Sequence, residues 1–113
     1  MTPAPDGTPL ANYVWPAAPN VPLPVTGPGV PSIYLLHGLS EHAGRYDRLA
    51  RWLAARGWTV GAHDHRGHGH SGGRPATLNH EDDLVVDAVD RLQAWTAAHG
   101  RPPILLGHSL GAL

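Results

Sequence analysis

The chain has 113 residues, a formal charge of −1 and a pI of about 6.7, which allows one domain with a modest core and gives no general attraction to nucleic acid or anionic membrane. It contains no cysteine, so disulfides, thiolate catalysis and cysteine-based zinc sites are excluded. Phenylalanine is absent, leaving aliphatic residues, alanine and four tryptophans to fill the core, while nine histidines call for an explanation. The start, Met1-Thr2-Pro3-Ala4-Pro5-Asp6, has neither the basic n-region nor the apolar h-region of a signal peptide. No apolar run approaches the ~18–20 residues of a membrane span. The expectation is a soluble, cytoplasmic protein.

Residues 1–9 are proline-rich and expected to be disordered. Residues 10–15 alternate loosely and contain Tyr13, Val14 and Trp15, which favour a strand. Residues 16–31 carry six prolines, which exclude a helix or central strand; an extended connection is expected, with edge-strand character near 21–25. Residues 32–37 form a near-continuous apolar run, as in a parallel strand buried on both faces. A helix follows over about 45–56, with Tyr46, Leu49, Trp52 and Leu53 on one face and Gly57 as its C-cap. Residues 58–63 read as a second buried strand, and 64–73 as a polar loop rich in Gly and His. Asn79 reads as the N-cap of a helix reaching about residue 99, with Glu81, Asp82 and Asp83 at its positive end and Leu84, Ala88, Leu92 and Trp95 inward. Gly100 ends that helix, and Pro102 and Pro103 prevent its continuation.

The third apolar run, 103–106, leads into Gly107-His108-Ser109-Leu110-Gly111. This fits G-x-S-x-G, the nucleophile elbow, in which a sharp strand-to-helix turn presents a serine hydroxyl above a sheet. The order strand, helix, strand, helix, strand, elbow specifies a mostly parallel sheet with helices on both faces and right-handed crossovers. Ligands in such sheets bind at the carboxyl ends of the strands. His37-Gly38, Asp64-His65 and Ser109 all lie at those ends, so three polar clusters are expected to converge there.

The segments running from His37 to Tyr46, from Asp64 to Gly73 and from Gly107 to Gly111 contain "HG-x-x-EH-x-x-RY", "D-x-RGHG-x-S-x-G" and the elbow. Together they resemble the α/β-hydrolase fold, and within it the monoacylglycerol lipase/lysophospholipase group, which includes the serine aminopeptidase-like hydrolases. The resemblance covers roughly residues 13–113 and the front half of the usual domain. It implies a serine ester hydrolase with Ser109 as the nucleophile that forms an acyl-enzyme. It also implies an oxyanion hole built from the backbone N–H groups of Leu39 and Leu110. Gly107, His108, Gly111, His37, Gly38, Asp64, Arg66 and His68 would be structural, holding the loops around the elbow. No cofactor is implied, and the partner would be a small ester or lipid.

Two other readings bear on the histidines. His63, His65, His68 and His70 are close in sequence, but the glycines between them make a loop rather than the fixed i, i+4 face of a helical zinc motif; hydrogen bonding within the loop is the expectation, with no metal. His37 lies nearest to serve as a base for Ser109, but no third group is placed to orient it. In this fold the triad acid and histidine follow the serine. The chain is therefore expected to be an N-terminal portion truncated just after the elbow, inactive and molten by itself. A catalytically inactive remnant, a peptidase and a thioesterase remain as alternatives; an aspartate nucleophile would be needed for a dehalogenase.

Overall fold

The computed structural model describes residues 1–38, 41–75, 77–78 and 80–109. Its elements are β1 (Thr2–Pro3), β2 (Pro9–Leu10), β3 (Asn12–Trp15), β4 (Ser32–Leu36), a 3₁₀ turn (Ala43–Tyr46), α1 (Asp47–Ala54), β5 (Thr59–His63), α2 (Asp83–His99) and β6 (Ile104–Gly107). β1 and β2 form a small antiparallel hairpin, and the other strands form one sheet in the order β3-β5-β4-β6. β5, β4 and β6 run parallel, while β3 is antiparallel to β5.

The strands' two-residue period separates the faces of the sheet. Ile33, Leu35, Val60 and Ala62 point to one side, where they form a core with Ala43 and Ala50. Ser32, Tyr34 and His63 point to the other, toward α2. There Trp95 packs edge-on against Tyr34 and donates its indole N–H to Ser32 Oγ at 2.9 Å. The two helices thus cover opposite faces, as expected of strand–helix–strand crossovers.

Several local expectations change. Residues 1–9 are ordered: β1 pairs with β2, Ala4 is buried, and Asp6 forms an ion pair with Arg66 at 2.7 Å. The turn is fixed by the Thr8 N–H donating to Asp6 Oδ1, so the prolines stiffen a hairpin instead of fraying it. No strand forms over 21–25; β3 already occupies the outer edge of β5, and prolines cannot supply ladder donors there. That connection is tied instead to helix ends, with Ala18 N–H donating to Ala54 O and Val30 N–H to His99 O.

α1 meets the sheet through Ala50 and Ala54, with Tyr46 and Leu53 partly buried, whereas Leu49 and Trp52 are 38% and 54% exposed. Small residues let the helix approach closely, so Tyr46 and Leu53 of the expected face pack against the core while Leu49 and Trp52 are left at the surface. α2 starts at Asp83 with Asp82 as N-cap; Asn79 lies outside the described residues. Its fully buried positions are Asp83, Asp87 and Trp95, and Leu84, Ala88 and Leu92 are only half-buried. Gly57 and Gly100 end their helices with φ of 97° and 71°, values that a residue with a Cβ adopts only at a cost.

Candidate active site

The carboxyl ends of β4, β5 and β6 carry the three polar clusters, and hydrogen bonds tie them together. At the end of β4, His37 is 1% exposed. The backbone N–H of His65, from the loop after β5, donates to His37 Nε2 at 2.8 Å. Nε2 therefore carries the lone pair, and the proton sits on Nδ1, which donates to Gly38 O at 2.7 Å. His65 returns the link by donating from Nε2 to His37 O at 2.9 Å. Both rings are neutral. Burial, the largest cause in each case, pushes both imidazoles down, His65 to about 4. His37 has no free basic nitrogen to offer Ser109.

Asp64 is fully buried yet ionised. Burial pushes its carboxyl up, but hydrogen bonds from the N–H groups of His70 and Ala43 and the Tyr13 hydroxyl more than offset this and hold it below the usual range. These bonds measure 2.8, 2.7 and 2.8 Å. Asp64 thus joins β3, the segment before α1 and its own loop.

Arg66 makes a bidentate pair with Asp87, with both bonds at 2.8 Å. It also meets Asp6 at 2.7 Å and Asp83 at 3.4 Å. Hydrogen bonds to Asp87 and Asp6 push its guanidinium well above its ordinary value. His68 Nδ1 donates to Arg66 O at 3.0 Å. The rings of His37, His65 and His68 pack with centroids 4.2 to 6.1 Å apart. Among the described residues, no group of three or more His, Cys, Asp or Glu side chains is arranged to hold a metal ion.

The elbow follows β6. The His108 N–H donates to Leu36 O at 3.1 Å, extending the parallel ladder past Gly107. Ser109 then adopts φ 54°, the left-handed region that non-glycine residues seldom enter, and its side chain is exposed. Backbone strain of this kind gathers at functional sites. Gly38 runs close beneath: a Cβ there would stand 2.8 Å from Glu41 Oε1 and 3.2 Å from His108 O. Leu39, Leu110 and Gly111, expected as two oxyanion donors and an elbow glycine, lie outside the described residues.

Three features escaped the sequence reading. Glu41 binds Gly38, Tyr46 and His108 together. Asp83 and Asp87 serve Arg66, and their i, i+4 spacing was the available signal for a shared helix face. Tyr13 caps Asp64 from β3.

This sheet, with a serine in a left-handed turn directly after a parallel strand, defines an α/β-hydrolase. The family model for serine aminopeptidase S33 matches residues 30–113, and the chain belongs to that family. A monoacylglycerol lipase of Mycolicibacterium smegmatis is 44% identical over 82 residues, 70% of this chain and 29% of the relative. A monoglyceride lipase homolog of monkeypox virus is 39% identical over 90 residues, 79% of this chain and 32% of the relative. The crystal structure of a soluble variant of the Saccharomyces cerevisiae monoglyceride lipase, in complex with a substrate analog, superposes with TM-score 0.73 at 26% identity, covering 94% of this chain and 33% of that one. The chain thus spans about a third of the length of these relatives. Among the described residues, no helix is long and apolar enough to cross a membrane.

Proposed function

We propose that this chain carries the nucleophile of a serine ester hydrolase acting on monoacylglycerol-like esters. Ser109 attacks the ester carbonyl, its proton passes to a base, and the alcohol leaves from an acyl-enzyme that water then hydrolyses. The N–H groups of Leu39 and Leu110 stabilise the oxyanion, each worth ~10²–10³ in rate. The observation that carries this reading is the left-handed backbone of Ser109 at the end of β6. The substrate class is taken from the relatives, whose names are monoacylglycerol and monoglyceride lipases. The basic nitrogen of His37 is occupied by the His65 N–H, so His37 is not that base.

The test joins residues 1–113 to the part of the Mycolicibacterium smegmatis relative that follows its matched segment. The joined chain should hydrolyse a monoacylglycerol, and Ser109→Ala should lower kcat/KM by ~10³ or more. A folded Ser109→Ala variant with unchanged turnover would overturn the assignment. Because the family is named for an aminopeptidase, an aminoacyl p-nitroanilide serves as the competing substrate; preference for it would make the protein a peptidase.

A further inference from the structure

We propose that Glu41 is a positioning residue that holds the loop after β4, at Gly38, in register with the turn that carries Ser109. The inference rests on the reading of Ser109 as nucleophile. A single oxygen, Glu41 Oε1, accepts from Gly38 N–H at 2.7 Å, Tyr46 O–H at 2.8 Å and His108 Nδ1 at 3.1 Å. Gly38 directly precedes Leu39, and His108 directly precedes Ser109, so this carboxylate is the shared anchor of the first loop and the elbow. The Glu41 N–H also donates to Gly38 O at 3.3 Å, closing the loop from both ends.

The gap between loop and elbow is set by Gly38, whose missing Cβ would collide with Glu41 Oε1 and the His108 carbonyl. Tyr46, where the 3₁₀ turn meets α1, ties the carboxylate to the scaffold. Hydrogen bonds from Tyr46 first, then from Gly38 and His108, hold the Glu41 carboxyl down at about 2, so it is charged across the working pH range and its three acceptor bonds are charge-assisted. Arg45 stands 3.8 Å from the second oxygen, a looser and more exposed contact. The side chain needs no contact with substrate: it acts by holding two backbone segments in register.

The joined chain described above tests this with Glu41→Ala, Glu41→Gln and Ser109→Ala. Misplacing reacting groups by about 1 Å can cost ~10² in rate. Glu41→Ala should therefore lower kcat by ~10² with KM within about threefold. Glu41→Gln keeps a carbonyl oxygen for Gly38 and Tyr46 and should recover kcat to within about tenfold of the parent. Each variant is first shown by circular dichroism to be folded. A folded Glu41→Ala variant with parental kcat, or one in which the loss is all in KM, would overturn the inference while leaving the nucleophile assignment standing. If Ser109→Ala retains turnover, the nucleophile assignment itself fails. Should Glu41→Ala not fold, a Glu41→Gln variant that is folded and as slow as Ser109→Ala would overturn the positioning role, because the carbonyl would then be no substitute.

Discussion

The buried histidines make stability depend on acid, and His63→Leu isolates one of them. His63 is 0% exposed, and its Nδ1 lies 2.8 Å from the Tyr34 hydroxyl. Burial, and then the neighbouring His65 ring, push its imidazole down to about 3. In the unfolded chain it returns to about 6.5. Below that pH the unfolded state binds the extra proton, so the stability from keeping His63 neutral is complete above about pH 6.5 and drains away as pH falls toward the folded value. At about 1.4 kcal/mol per pH unit, folding at pH 5 is about 2 kcal/mol less favourable on account of His63 alone. His65 and His37, also pushed down by burial, add to this, against a typical domain stability of only ~5–15 kcal/mol. His63→Leu leaves the Tyr34 hydroxyl unpaired and should cost about 1–3 kcal/mol at pH 7.5. At pH 5 the cost should shrink by about 2 kcal/mol, because leucine has no proton to gain. Urea unfolding of the joined chain at both pH values, followed by tryptophan fluorescence, gives this double difference, in which contributions from the added segment cancel. An equal cost of the substitution at both pH values would refute the reasoning.

Two further predictions follow from the packing and the backbone. Asp87→Ala removes both bidentate bonds from a guanidinium whose side chain is 4% exposed, and should destabilise by about 3 kcal/mol or more, read as a lower urea midpoint, with Asp87→Asn restoring part of it. Ser109→Gly should be more stable than Ser109→Ala by about 1 kcal/mol in the same assay, because glycine meets φ 54° without strain, while both variants are inactive.

The alternation of strands and helices was legible because short, mainly apolar runs at 32–36, 59–63 and 104–107 alternate with helical segments and the cap glycines mark helix ends; the first two runs are buried as expected, whereas the third, expected to be buried, is exposed along its whole length. The sharp turn at Ser109 was legible as well, since G-x-S-x-G follows a strand-like run and Ser109 adopts φ 54°. What stayed hidden depends on contacts between distant segments. β3 reads as a strand, but nothing local shows that it runs antiparallel against β5. Leu49 and Trp52 outweigh Ala50 and Ala54 in any apolar count, yet the alanines face the sheet because close approach favours the smaller side chains. Asp83 was assigned to the helix dipole and Asp87 to no role, whereas both turn inward because Arg66, about 20 residues earlier, needs charge partners. Glu41 stood inside a recognised motif, but its role depends on Gly38 and His108 lying on either side of it.

The most direct measurement is a fluorophosphonate adduct mapped by tryptic mass spectrometry on the joined chain. One adduct, on Ser109, absent in Ser109→Ala and slowed in Glu41→Ala, is the predicted outcome. An adduct on another residue, or none in a chain that turns over ester, would contradict the assignment of the nucleophile.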